Sequence, residues 1–263
     1  MAETGRLTAP AARPFASAVT LVRIAIIAGV LLTWEAVAAS GLLFRDVVPS
    51  LVVIGRALAE LLADGATYWH VGVTAGEIGL AMLFGGLAGL AVGIILGGNR
   101  LLASAFESYL YYLGPTPKII FFPIMIMWFG VGPGSKVAMG VLSCFFPIAL
   151  SAAAGMRQID KVLIRVGRSF RASTWQMVTK VYLPAMRLPI INGVRLGLGG
   201  AIIGTLLAET KLSNRGVGFL IINAYSTFNM PRMYALLIVL FVLSIGVNAL
   251  IGRLGAADSI QRA

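Results

Sequence analysis

Six stretches of this chain, roughly residues 21–40, 76–96, 105–128, 137–154, 188–208 and 234–252, are apolar over lengths that match the hydrocarbon core of a bilayer. A soluble globule has no use for so many apolar runs of that length. Soluble domains carry about 25% charged residues; this chain has 12%, with 59% hydrophobic residues and a mean hydropathy of +0.91. Backbone polar groups inside lipid must be satisfied within the segment, which leaves helices as the economical solution. The expected fold is therefore all-α and polytopic, with six transmembrane helices. The expected division is an N-terminal segment 1–20, a six-helix domain 21–252 and a C-terminal tail 253–263. No small-residue cleavage site follows the first apolar run before the polar loop, so that run reads as a retained span.

The basic residues assign sides. Arg6, Arg13, Arg23, Arg100, Arg253 and Arg262 fall on one side, together with seven residues of the segment 155–187: Arg157, Lys161, Arg165, Arg168, Arg171, Lys180 and Arg187. Arg45, Arg56, Lys136, Lys211, Arg215 and Arg232 fall on the other, with Lys118 and Arg195 inside spans. The richer side is cytoplasmic, so both termini and the 155–187 insert are expected there. The net charge of +11 follows from this asymmetry and from contact with anionic lipid. It gives no support to nucleic-acid binding, because no soluble domain is present to carry it.

Several chemistries are not supported. Cys144 is the only cysteine, so one chain can form no internal disulfide and no cysteine metal site. The spacing G-x-x-x-x-G-K-[ST] is absent, including in the glycine-rich stretch Gly130 to Lys136. His70 is the only histidine, and no carboxylate pair placed for catalysis and no G-x-S-x-G motif is found. The chain reads as non-catalytic, with no bound cofactor or metal.

Glycines and prolines shape the spans. Gly85, Gly89, Gly93 and Gly97 recur every four residues and form one smooth helix face. Gly193, Gly197 and Ala201, and Gly200, Gly204 and Ala208, repeat the pattern in the fifth span. Such faces serve close packing, sliding between helices, or both. The third span is interrupted by Pro115, Pro117 and Pro123. Broken helix at membrane depth needs protein or a wet cavity around it, so this span is expected at an internal pathway or a subunit interface. Lys118 beside the break is expected near a cavity, paired, or snorkelling to the interface. Tyr109, Tyr112, Lys118, Ser143, Asn192 and Arg195 are the candidate pathway residues. Lys118 and Arg195 could attract an anion, or Arg195 could pair structurally with Glu209 or Glu107. Glu209 itself reads as structural, accepting hydrogen bonds from loop backbone.

The insert reads as two short helices. Val162, Val166 and Phe170 form one apolar stripe, Trp175, Val178 and Tyr182 a second, and Ser173-Thr174 supplies an N-cap between them. Leu183-Pro184 closes the unit. The residues alone allow two readings: a docking hairpin for a soluble protein, or an amphipathic helix lying on the membrane.

Over residues 34–252 the chain resembles permease subunits of ATP-binding-cassette importers, in the nitrate, sulfonate, taurine and bicarbonate group of the binding-protein-dependent family. The residues that carry the resemblance occur in order: Trp34-Glu35, Pro49-Ser50, Gly79 with the glycine-rich second span, Pro117-Lys118, Pro123, Trp128-Phe129-Gly130-Val131-Gly132, Ser135-Lys136, Phe146-Pro147, Gly155, Leu183-Pro184-Ala185, Leu188-Pro189, Gly193-Val194-Arg195, Ala208-Glu209 and Gly216-Val217-Gly218. Singly these are weak; as an ordered set they are specific. In such permeases the insert is the EAA loop, E-A-A-x3-G-x9-I-x-L-P. Counting back from Leu183-Pro184 places the E-A-A at Arg165-Val166-Gly167 and the glycine at Arg171. The spacing, the Leu-Pro pair and the following Ala172-Ser173 are kept, whereas the acid, both alanines and the glycine are not. Arginine resists φ > 0, which implies a bend of different shape; the exchange of acid for base implies an altered contact with the motor subunit, or a motor groove with compensating acids.

The resemblance implies a type I ABC importer permease in the bacterial cytoplasmic membrane. A second permease copy would line a central pathway, and two cytoplasmic ATPase subunits would carry ATP and Mg. An extracytoplasmic binding protein would deliver a small anionic solute such as a sulfonate, taurine, nitrate or bicarbonate. Coupling would fall to Arg165, Val166, Gly167, Arg168, Phe170, Arg171, Ala172, Ser173, Trp175, Leu183 and Pro184. Pyrimidine precursors, riboflavin-like compounds and aromatic acids are alternative solutes within the class. The rival class is an ATP-independent transporter or channel, which would show paired broken helices in inverted repeats; only one span here is heavily broken.

Overall fold

The computed structural model describes residues 14–41 and 47–256, and among these every regular element is helical. Arg6, Arg13, Arg45 and Arg262, used above to assign sides, lie outside the described residues, as do the first thirteen positions and the last seven of the expected tail segments.

The chain runs through α1 (Pro14–Ser40), α2 (Leu51–Ala63), α3 (Gly65–Gly98) and α4 (Arg100–Leu113). A 3-10 turn (Lys118–Phe121) leads into α5 (Phe122–Phe129) and α6 (Pro133–Arg157). The insert contains α7 (Lys161–Ser169), α8 (Thr174–Met177), a π turn (Val178–Tyr182) and α9 (Leu183–Ala185). It is followed by α10 (Arg187–Lys211), α11 (Val217–Ser226) and α12 (Met230–Ala256). Helices α1, α3, α6, α10 and α12 are each long and apolar enough to cross a membrane.

The expected third span, 105–128, is not one helix. Arg100–Leu113 and Lys118–Phe129 meet at a bend of 95°, so the sixth crossing exists only if this broken pair counts as one. The cause is local: Pro115 and Pro117 withhold two N–H groups, and α4 stops one residue before Gly114. Elsewhere the helices outrun their apolar windows because polar caps extend them. Asp64 accepts the Ala66 N–H at 3.0 Å and starts α3 well before residue 76. Asn99 accepts the Leu101 and Leu102 N–H groups at 3.0 and 3.3 Å and starts α4 directly after α3. Helices α2 and α11 lie in segments that hydropathy leaves as loops.

Helix α6 is the centre of the bundle, with α3 on one flank and α10 on the other. Both flanks are glycine-lined. A Cβ at Gly89 would lie 2.8 Å from the Phe145 carbonyl oxygen, and one at Gly93 would lie 2.5 Å from that of Ala149. On the other side, Gly200 and Gly204 approach Ser143 and Met139 of α6 as closely. Both glycine stripes of α10 therefore face the same partner. Side chains smaller than alanine let the three backbones close to within carbonyl contact, where dispersion and weak C–H···O contacts replace the hydrophobic force that lipid removes. Cys144 packs into this seam, fully buried against the Ala81 carbonyl. By contrast, α1 touches the bundle only near its end. There Trp34 donates to the Pro49 carbonyl at 3.1 Å and meets Tyr234 edge-on, and Glu35 accepts the Leu51 N–H at 2.9 Å.

Candidate functional site

The insert forms a capped hairpin. The expected segment 155–187 overruns it at both ends, because Gly155 and Arg157 belong to α6 and Arg187 opens α10. Asp160 caps α7, accepting the Val162 N–H at 2.7 Å. Helix α7 ends in a left-handed turn: Arg171 has φ +50. The Ala172 N–H donates to the Gly167 carbonyl at 3.1 Å and the Arg171 N–H to that of Arg168 at 2.9 Å. Those two bonds make a Schellman closure, with arginine at the position glycine usually fills. Arg171 thus adopts the φ > 0 that its side chain is expected to resist. The left-handed turn persists, and its two backbone bonds offset a conformational penalty of roughly 1–2 kcal/mol.

A capping box restarts the chain. Gln176 N–H donates to the Ser173 hydroxyl at 3.2 Å, and Ser173 N–H donates to the Gln176 side-chain oxygen at 2.8 Å. Gly167 leaves room for Met177, whose sulfur would sit 2.5 Å from a Cβ there. The Leu183 N–H reaches back to the Val178 carbonyl, a π-type bond that absorbs the register change just before Pro184. Ile159 and Met186 anchor the hairpin to Ala152 and Met156 of α6.

What the hairpin presents outward is apolar at the tip and basic around it. Phe170 is 83% exposed and Trp175 74%. Val162, Leu163 and Val166 are also exposed. Lys161, Arg165, Arg168, Arg171 and Lys180 are exposed and form no ion pair among the described residues. Arg157 stands apart, forming a bidentate pair with Glu107 of α4.

The candidate pathway residues are only partly gathered. Lys118 and Ser143 line one cavity of about 590 Å³ at the α4–α5 break, together with Tyr111, Phe146 and Gly200. The Lys118 ammonium donates to the Gly114 carbonyl and to that of Thr116 at 3.3 Å, and lies 5.2 Å from the centre of the Phe146 ring. It therefore bridges two carbonyls of the Gly114–Pro117 break, while standing at the cavity wall. Tyr109 and Tyr112 sit on the exposed face of α4, and Asn192 is exposed on α10. Arg195 pairs with neither Glu209 nor Glu107; its Nε donates to Asn248 of α12 at 2.9 Å.

A second polar cluster, at the far end of α3, α6 and α10, is fully interior. Glu209 is 1% exposed; one oxygen accepts the Thr74 hydroxyl at 2.7 Å and the other the Gly218 N–H at 2.6 Å. This agrees with the reading of Glu209 as a loop anchor. The Thr74 hydroxyl in turn accepts the Val217 N–H at 2.8 Å, and His70 Nδ1 accepts the Gly216 N–H at 3.0 Å. Lys136 is 2% exposed within α6, donates to the Val131 carbonyl, and is not a loop residue. Glu77, 5% exposed, completes the cluster. Sequence reading passed over Glu77, although a lone acid inside a 34-residue apolar helix is itself a signal.

Residues 85–257 match the family model described as binding-protein-dependent transport system inner membrane component. The chain is similar to the taurine transport system permease protein TauC of Escherichia coli (strain K12), at 32% identity over 194 residues, covering 72% of this chain and 70% of that one. It is also similar to a permease protein assigned to aliphatic sulfonates transport, SsuC of Bacillus subtilis (strain 168), at 30% identity, covering 80% of this chain and 76% of that one. Among solved structures it resembles an inward-facing conformation of the MetNI methionine ABC transporter, with a TM-score of 0.56 and 19% identity over 79% of this chain and 96% of that chain. At that identity the likeness speaks to fold alone.

Proposed function

The chain belongs to the binding-protein-dependent transport system inner membrane components and is a permease subunit of an ABC importer, and from that premise we propose that the α7–α8 hairpin is where its motor docks. The observation that carries this reading is the exposed pair Phe170 and Trp175 on a tip made rigid by the Schellman closure and the capping box. A helix lying in a membrane surface needs no such rigid bend. A hairpin that transmits rigid-body motion into packed helices does. The five unpaired basic residues around the tip call for an acidic groove on the ATPase.

The assembly that fits is a second permease copy, two cytoplasmic ATPase subunits holding ATP and Mg, and an extracytoplasmic binding protein. It sits in a bacterial cytoplasmic membrane with both termini of this chain inside. This chain contributes no catalytic group. Its solute is a small anion of the sulfonate kind, a reading supported by the named transport roles of TauC and SsuC. The cavity at Lys118, between α4, α6 and α10, is the segment of pathway this chain supplies.

Co-purification tests the docking. Arg168→Glu and Arg171→Glu combined with Phe170→Ala should abolish retention of the ATPase and stimulation of its hydrolysis by the binding protein. Retention and stimulation at wild-type levels would remove the hairpin from the coupling path.

A further inference from the structure

Arg195 sits about two turns into α10, inside an apolar span where a charged side chain needs a partner. Its Nε donates to Asn248 at 2.9 Å. Among the described residues no carboxylate pairs with it and no acceptor meets its Nη groups, so most of the five donors of the guanidinium are left over. The side chain runs toward the end of α12, where a Cβ at Gly252 would lie 3.7 Å from Arg195 Cζ. Arg253, on the same turn of α12, is exposed as well. Two cations therefore stand where α12 finishes, and no acid among the described residues balances them.

From this point a groove of about 380 Å³ runs back along the bundle between α3, α10 and α12, with Ile251, the neighbour of Gly252, in its lining. Only Thr74 and Ser244 of that lining carry polar side chains, and Thr74 is already engaged by Glu209 and Val217. The groove is open at Gly79, where a Cβ would meet nothing within 4 Å. Its lining runs from Leu240 to Ile251 on α12 and from Val71 to Met82 on α3. At about 1.5 Å per residue each stretch is about 16 Å long, which is half of a hydrocarbon core about 30 Å thick. A groove one leaflet long, almost wholly apolar and ending at unpaired cations, matches an amphiphile with a negative headgroup and an extended chain. A small polar anion would find no partner along it. A helix of a second copy, about 10 Å across, would need roughly three times the volume over this length.

We propose that this groove holds one acyl chain of an anionic phospholipid, whose phosphate is received by Arg195 and Arg253 at the leaflet where α12 ends. The free Nη groups gain charge-assisted bonds to phosphate oxygens, and the chain fills the gap between α3 and α12. The site is separate from the hairpin and from the Lys118 cavity, and it stands whichever solute the protein carries.

Native mass spectrometry of the full chain in mild detergent, titrated with phosphatidylglycerol or phosphatidylcholine of equal chain length, tests this. One phosphatidylglycerol should be retained at least about fivefold more tightly than phosphatidylcholine, the margin that one basic residue gives at an anionic headgroup. Arg195→Gln should erase that margin. Gly79→Leu, which builds into the groove, should weaken retention of both lipids. Equal retention of the two lipids by the wild type overturns the proposal without any variant having to fold. So does a margin that survives in Arg195→Gln, or wild-type retention in Gly79→Leu. Displacement of the lipid by inorganic phosphate at constant ionic strength would mean an anion site with no chain. A dimer that forms only as lipid leaves would put a second copy in the groove, and either result refutes the proposal.

Discussion

Arg157 and Glu107 face each other as a two-pronged ion pair, Nη1 to Oε2 at 2.8 Å and Nη2 to Oε1 at 2.7 Å, tying the end of α6 to α4. The arginine remains partly exposed, so solvent screens the pair. A double-mutant cycle with Arg157→Met and Glu107→Gln should return a coupling of about 0.5–1 kcal/mol. Thermal unfolding at low and high salt reads it out, and the coupling should shrink at high salt.

Arg171 occupies a left-handed conformation that glycine adopts without strain. Arg171→Gly should therefore stabilise the closed turn by about 1 kcal/mol, and Arg171→Val should weaken it. Hydrogen exchange at the Ala172 amide, which donates to Gly167, measures the turn directly. Slower exchange in the glycine variant and faster exchange in the valine variant are expected.

The glycines of α3 divide into two kinds. A Cβ at Gly93 would lie 2.5 Å from both the Ala149 carbonyl oxygen and the Ala152 Cβ, whereas one at Gly79 would meet nothing within 4 Å. Gly93→Ala should cost about 1–3 kcal/mol through overpacking. Gly79→Ala should be neutral or gain up to about 1 kcal/mol in helix preference. Melting curves of the two purified variants separate these outcomes.

Gly216 combines φ +95 with a hypothetical Cβ 2.2 Å from Glu209 Oε1. Gly216→Ala therefore meets backbone strain of about 1–3 kcal/mol in addition to the displacement of the Glu209 carboxylate. Folded yield should fall sharply. Gly199→Ala, whose Cβ meets nothing, should match wild type in the same preparation.

Hydropathy made the long helices legible because lipid-spanning length is a strong constraint, and the four-residue glycine spacing correctly marked the face of α3 that meets α6. The prolines announced that the third span was broken. They did not announce a 95° bend, because its size depends on how α5 and the turn before it pack on α6 and on the Lys118 ammonium bridging the Gly114 and Thr116 carbonyls. Helices α2 and α11 went unread because they are short and owe their position to contacts with α12 and α3. At Arg171 the residue's own preference pointed away from φ > 0, while the closure bonds to Gly167 and Arg168 decided the outcome. Of the hairpin, the Ser173 cap and the Leu-Pro end were visible in sequence; the outward aim of Phe170 and Trp175 was not. Of the pathway residues, only Lys118 and Ser143 converge, since side-chain type does not say which way a helix faces. Glu77 escaped because its burial is a tertiary fact, and Lys136 reads as part of the external connection because the turn-rich run before it hides the start of α6.

The Glu209 anchor has a consequence for how the sequence can change over time. Thr74, Gly216 and Gly218 all meet the Glu209 carboxylate, the first and last as donors and Gly216 by leaving room for it. A substitution at any one of the four that removes a donor, removes the acceptor or adds bulk at that carboxylate disturbs the other three, so changes tolerated there are expected to come in combination.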